Sequence, residues 1–206
     1  MSDVEYFVER IEPIGRAKKR FKVHIDGADD LCLYGGELRR FGLSEGDMIS
    51  GEEYESIIED VLIPRAKSRA LHLLEKQDYS IAKLKEKLKV SGYSDEVVDD
   101  AISYVKSYNY VDDERYARNY VYFHKNDKSK RRLCEDLFRR GVDKDLVKRI
   151  VDEDYDIEEE NLIREFLKKK KFIPFGEKGD EYAKTYRSLL SKGFSVDAIN
   201  SVINEF

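Results

Sequence analysis

Hydrophobic and polar positions change their rhythm at about residue 50. Before it, Val4-Glu5-Tyr6-Phe7-Val8-Glu9-Arg10-Ile11 is rich in β-branched and aromatic residues. Phe21-Lys22-Val23-His24-Ile25 alternates strictly and runs into Asp26-Gly27, and Leu31-Cys32-Leu33-Tyr34 closes on Gly35-Gly36. Three short runs separated by turn residues predict a small antiparallel sheet. Glu37 to Phe41 reads as a short helix stopped by Gly42.

From Ser50 the period becomes helical. Ser50-Gly51-Glu52-Glu53 is a capping box, in which hydroxyl and carboxylate each take up a free backbone N–H. A helix is expected from there to about Val61, and Pro64 suits the first turn of the next, where its missing N–H costs nothing. Beyond Pro64 one turn recurs: Gly92-Tyr93-Ser94, Gly141-Val142-Asp143 and Gly193-Phe194-Ser195. A glycine just past a helix can take the left-handed conformation that satisfies the last carbonyls. The Ser or Asp then caps the following helix. The apolar residue between them can pack on the residue four positions past the cap, which is Val98, Val147 or Ile199.

The match extends outward. Leu88, Leu137 and Leu189 stand four residues before the glycines, and Ala101-Ile102, Ile150-Val151 and Val202-Ile203 stand nine and ten after them. The glycines lie about 50 residues apart, which is the signature of a repeat architecture. Each unit has a first helix ahead of this pair: Ala66, Ala70, Leu73 and Leu74 in unit one; Tyr116, Ala117, Tyr120 and Phe123 in unit two; Leu162, Ile163, Phe166 and Leu167 in unit three. Unit three adds an excursion through Phe172-Ile173-Pro174-Phe175-Gly176. The expected fold is therefore mainly α, three tandem three-helix repeats stacked into an elongated curved body and preceded by a small antiparallel β segment. The segments are 1–49, 50–111 with the lead-in helix, 112–155 and 156–206.

Composition narrows the function classes. Charged residues make up 39% of the 206, far above the usual quarter, so much of the chain must be solvated helix surface. The net charge of −5 disfavours a wholly cationic nucleic-acid binder. Charge is uneven, however. Lys125, Lys128, Lys130, Arg131, Arg132, Arg139 and Arg140 crowd into one stretch, and seven acids without a base follow between Asp152 and Glu160. The cationic stretch suits phosphates or an acidic protein surface, or is an ordinary solvated face. Lys168-Lys169-Lys170-Lys171 beside Phe172 and Phe175 is a second basic run, whose aromatics either stack on bases or anchor a loop.

Catalytic signatures are missing from the sequence: it has no phosphate-binding glycine loop, and His24, His72 and His124 stand in no metal spacing. Cys32 and Cys134 read as reduced, partly buried thiols. Asp112-Asp113-Glu114 reads as helix-start capping rather than a metal or catalytic cluster. No cofactor is expected. Neither a leader pattern nor a membrane-length apolar run is seen, so a soluble, cytoplasmic protein is expected. A monomer is expected as well.

Several segments resemble the RecX family of regulatory proteins. Ala66-(x)3-Ala70-(x)2-Leu73-Leu74 with Tyr79-Ser80-(x)3-Leu84-(x)3-Leu88 resembles its first helical module. The most specific segment is Tyr110-Val111-Asp112-Asp113-(x)2-Tyr116-Ala117, and Arg132-Leu133-(x)3-Leu137-(x)2-Arg140-Gly141-Val142 is similar to a third. Ser129 stands where the family usually has glycine, and Asp136 where it has glutamate. The resemblance covers roughly residues 50–206. It implies a regulator that binds the RecA recombinase or the RecA–DNA filament, limits ATP hydrolysis, strand exchange and co-protease activity, and touches DNA directly only weakly. The expected partner-binding residues are Lys128, Lys130, Arg131, Arg132, Arg139, Arg140, Lys168, Lys169, Lys170 and Lys171.

Overall fold

The computed structural model describes residues 4–15, 19–172 and 179–205. The expected excursion of unit three thus lies outside the described residues from 173 to 178. The chain forms two compact bodies, Met1–Val111 and Asp112–Phe206. The fold is mainly helical with one small antiparallel sheet at its N-terminal end.

In the first body β1 (Glu5–Ile14), β2 (Arg20–Asp26), β3 (Leu31–Tyr34) and β4 (Met48–Ser50) pair in the order β3-β2-β1-β4, all antiparallel. The fourth strand is absent from the sequence expectation, being only three residues long. Gly35-Gly36 opens a helix, α1 (Gly35–Phe41), instead of closing a turn. The Glu37 carboxylate accepts the Tyr34 N–H at 2.7 Å, and Gly42 ends the helix at φ +64°.

The helix from Ser50 does not stop before Pro64. α2 (Gly51–Ile57) passes through a π-helical turn (Ile58–Leu62) into α3 (Ile63–Leu74) without leaving helical conformation. A proline within a helix lacks a donor and clashes with the carbonyl four residues earlier. The wider turn, in which the Ile63 N–H reaches back to the Ile58 carbonyl, makes room for it. α4 (Ile81–Val90) and α5 (Asp95–Ser107) complete the first module. Sheet and module share one core running from Val8 and Leu33 through Ile57 to Leu88 and Val105. Arg65 joins them, donating to the Cys32 carbonyl at 2.9 Å, pairing with Glu37 and lying 4.8 Å over the Tyr34 ring. Tyr54 donates its hydroxyl to the Asp29 carbonyl at 3.0 Å, and burial pushes its pKa up to about 12.

The second body holds two modules, α6 (Asp113–His124), α7 (Lys130–Arg139) and α8 (Lys144–Asp154), then α9 (Glu159–Lys170), α10 (Gly179–Ser191) and α11 (Val196–Ile203). The repeated turn has the expected chemistry. Gly92, Gly141 and Gly193 have φ of +94°, +77° and +91°. After Gly141 the Val142 N–H returns to the Leu137 carbonyl at 3.2 Å, and after Gly193 the Phe194 N–H returns to Leu189. Asp143 and Ser195 cap their helices through side-chain oxygens, whereas Ser94 holds the cap position without a side-chain hydrogen bond. Leu88, Leu137, Leu189, Val98, Val147 and Ile199 are all fully buried. Truncating any one of these leucines to alanine should cost about 2–5 kcal/mol.

The turns also meet neighbouring elements. A Cβ on Gly92 would lie 3.1 Å from the Cys32 Sγ of β3. One on Gly193 would lie 2.4 Å from the Ser129 Oγ and 2.5 Å from the Arg132 Cβ at the start of α7. One expected core residue is misplaced. Phe123 is 72% exposed, and Val121 takes the buried position on α6 beside Ala117 and Tyr120.

Candidate interaction surface

Both basic runs lie in the second body, and the fold treats them differently. α7 begins at Ser129, whose hydroxyl accepts the Arg132 N–H at 3.2 Å. This aligns Lys130 to Arg139 along one helix whose buried side carries Leu133, Asp136 and Leu137. Asp136 is 6% exposed and is the hub of the run. It accepts from the Tyr120 hydroxyl at 2.9 Å, Lys128 at 2.8 Å, Arg132 at 3.2 Å and Arg139. Burial alone would raise its carboxyl, but the hydrogen bonds from Lys128 and Tyr120 hold it below the usual carboxylate range. Burial likewise opposes the Lys128 charge, and its hydrogen bonds to Asp136 and to the Tyr120 hydroxyl oxygen, at 2.8 and 2.7 Å, outweigh it and raise that pKa. Arg140 lies 4.6 Å over the Tyr120 ring.

The remaining α7 cations also have carboxylates. Arg131 pairs with Glu135 at 2.5 Å and donates to the Gly193 carbonyl at 3.3 Å, and Lys130 pairs with Asp152 at 2.6 Å. The acidic block supplies the counter-charge to the second module. Arg118 is held by Glu153 and Asp154, both at 2.8 Å, and Lys125 by Asp156 at 2.8 Å. At the start of α6, Asp112 caps by accepting the Arg115 N–H at 2.9 Å, and Glu114 binds Arg118 and Arg149, each at 3.0 Å. Those hydrogen bonds keep the Glu114 carboxyl below its ordinary range. Among the described residues no group of three or more His, Cys, Asp or Glu could hold a metal ion.

The second run ends α9. Lys168 pairs with Glu165 at 3.3 Å, whereas Lys169, Lys170 and Lys171 are exposed and make no ion pair among the described residues. Their placement at the helix C-terminus suits the negative end of the helix dipole. Lys171 itself adopts φ +50° and ends the helix as a glycine would, with the Phe172 N–H returning to the Leu167 carbonyl at 3.1 Å. Phe172 packs on the third module's core and against Tyr182, ring centres 5.7 Å apart. Phe175 lies outside the described residues. Lys169 borders a shallow groove with Phe166, Phe194 and Lys192, and Lys192 lies 5.4 Å over the Phe166 ring.

The structure therefore brings Lys128, Arg132, Arg139 and Arg140 together around Asp136 and Tyr120, leaves Lys130 and Arg131 each in its own pair, and sets Lys169 to Lys171 apart on α9. The exposed α6 pair Tyr122 and Phe123, 69% and 72% exposed, is the surface feature that sequence periodicity missed. Both cysteines are free, and burial raises both thiols. Among the described residues no helix is long and apolar enough to cross a membrane.

Comparison with known proteins gives a consistent outcome. Residues 66–104 match a family model described as the RecX first three-helix domain, and residues 112–149 one described as the second. A regulatory protein RecX of Caldanaerobacter subterraneus is 30% identical over 90% of this chain and 92% of its own length. One from Clostridioides difficile is 30% identical over 96% and 94%. A solved structure of a regulatory protein RecX superposes with a TM-score of 0.54 over 97% of this chain and 99% of its own. At 20% identity, that likeness speaks to the fold alone.

Proposed function

The chain belongs to the RecX family of regulatory proteins, and from that premise we propose that it binds RecA or the RecA–DNA filament and restrains ATPase, strand-exchange and co-protease activities. The observation that carries this reading is the 30% identity to a regulatory protein RecX across 90% of the chain. The ten cations have distinct tasks in this proposal, seven as contacts and three as supports. Lys169, Lys170 and Lys171 meet an acidic surface directly, and Lys130, Arg131, Arg139 and Lys168 do so by exchanging their present carboxylates for the partner's. Lys128, Arg132 and Arg140 hold the second module in shape. The protein acts in the cytoplasm as a monomer.

A second reading, a helical protein acting on DNA without RecA, is favoured by Lys169, Lys170 and Lys171, which are exposed and make no ion pair among the described residues. Substoichiometric titration into a RecA ATPase assay on single-stranded DNA separates the two. The first reading expects inhibition and far tighter binding to RecA–DNA than to DNA. Undiminished ATPase together with tight binding to bare DNA overturns it. Salt adds a second readout, because phosphate-dominated binding weakens steeply as salt rises.

A further inference from the structure

Tyr182 stands outside the core of the third module and is nevertheless held by it. Phe172 and Tyr186 pack on the margin of that core, whereas Tyr182, on α10 between them in space, is 37% exposed. Its ring centre lies 5.7 Å from that of Phe172, and the ring is nearly parallel to Tyr186, at 6.0 Å and 21°. Tyr186 is itself fixed, donating its hydroxyl to the Asn200 side-chain oxygen at 3.1 Å. Two neighbouring rings thus set the orientation of an exposed third, which lowers the ordering cost of stacking a flat ligand on it. The ladder begins where the basic run ends. Phe172 follows Lys171 directly, and Lys169, Lys170 and Lys171 are exposed and make no ion pair among the described residues. From Lys168 to Arg187 the sequence carries seven Lys or Arg against Glu177, Asp180 and Glu181, so positive charge is in excess around the rings.

We propose that Tyr182 and the lysines ending α9 form a site for single-stranded nucleic acid, in which a base stacks on the Tyr182 ring and the neighbouring phosphates meet Lys170 and Lys171. The inference rests on direct contact with DNA, which the second reading requires and the first needs only as the weaker of two contacts. A strand without a complement presents flat faces and negative charge in alternation, and a ring beside a cationic run answers both. A duplex offers the charge but keeps its bases stacked inside. An acidic protein surface would engage the lysines and leave the ring unused.

The test measures binding of the full chain, without RecA, to oligothymidylate, to an abasic oligomer of the same length, to a duplex and to polyglutamate, by fluorescence anisotropy across a salt series. The native protein should prefer oligothymidylate to the abasic oligomer. Tyr182→Ala should weaken oligothymidylate binding about tenfold, leave the abasic oligomer unchanged and keep the salt slope. Tyr182→Phe should bind as the native protein does, because the ring and not the hydroxyl is used. Lys170→Gln/Lys171→Asn should weaken both oligomers and lower the salt slope by about 1.4. Asparagine accepts the left-handed φ of +50° at position 171. Lys184 is also exposed but stands two residues on from Tyr182, toward the other side of α10, so Lys184→Ala should lower the slope less. Thermal melting checks that each variant folds, and the native preference for bases over abasic phosphates reports even should Tyr182→Ala melt early. Native binding to oligothymidylate that survives Tyr182→Ala, or equals that to the abasic oligomer, overturns the inference and leaves direct DNA contact standing. Equal binding to the duplex, or an equal loss from Lys184→Ala, overturns it as well. Polyglutamate bound as tightly as oligothymidylate assigns the lysines to an acidic protein surface. If the native protein binds no DNA, this inference and the second reading fall together, and the RecA reading stands.

Discussion

The basic runs of α7 and α9 look alike in sequence and differ in the folded protein. Along α7 and just before it, the cations from Lys128 to Arg139 meet Asp136, Glu135 or Asp152, some one helical turn away and some contributed by another helix. Along α9 the run projects from a helix end, and Lys169 to Lys171 meet no carboxylate among the described residues. Cations that already have carboxylates offer a new partner only what it gains by exchange. Unneutralised ones release bound counterions when a polyanion arrives. Charge density in a sequence window is therefore a poor guide to surface potential. The first run mainly organises its module, and the second faces outward.

Replacing the hub tests this difference most severely. Asp136→Ala removes a nearly buried carboxylate and strands Lys128, Arg132 and the Tyr120 hydroxyl, so it should destabilise the second body by about 3–5 kcal/mol. Removing the exposed partner of Lys168, in Glu165→Ala, should cost under about 0.5 kcal/mol. Urea denaturation of the two variants at neutral pH makes the measurement, and similar costs would erase the distinction between the runs. The hub also carries an acid signature. Because its folded pKa is depressed, its contribution is full above the ordinary carboxylate range and disappears as pH falls through the folded value.

A smaller effect concerns binding. Replacing Lys169, Lys170 and Lys171 with alanine should reduce the slope of log affinity against log salt for a single-stranded polyanion by about 2, from roughly 0.7 per phosphate contact. Stability should change by less than about 1 kcal/mol, the scale of helix-dipole terms at an exposed end. Lys130→Ala/Arg131→Ala should move the slope less, since each base leaves behind a carboxylate it had neutralised. Fluorescence anisotropy across a salt series gives both slopes, and a larger change from the α7 pair would reverse the comparison.

Much of the fold is legible in the sequence because its turns use local chemistry. Glycine, an apolar residue and a capping Ser or Asp within three positions are enough to place the second and third helices of every module. What escapes notice uses uncommon residues or distant partners. Asn109 and Lys171 end α5 and α9 at φ +55° and +50°, where glycine is the usual signal. The π-helical turn before Pro64 continues a helix that proline would be expected to interrupt. At the candidate surface, Arg131–Glu135 and Arg132–Asp136 can be read from helical spacing. Lys130–Asp152 and Lys125–Asp156 cannot, because folding alone brings them together. Phe123 shows the limit of periodicity: assigning it to the core requires knowing which side of α6 the module covers, and Val121 occupies that side.

The smallest expected effect comes from the partial burial of His124 beside the cations around Asp136. His124 stacks on Tyr120 with ring centres 4.3 Å apart, and burial, then the nearby charges of Lys128 and Arg140, lower its pKa, with Asp136 and Asp127 opposing. The unfolded chain takes up this proton near pH 6.5, and the native protein only at lower pH. Stability from this residue is thus full above that range and is lost as pH falls through it. His124→Phe keeps a ring on Tyr120 without a titrating group, so between about pH 7 and pH 5 the native protein should lose of the order of a few tenths of a kcal/mol more than the variant. Urea midpoints at the two pH values give this difference. Parallel losses would mean that neither burial nor the charges of Lys128 and Arg140, which flank α7, hold the proton off this ring.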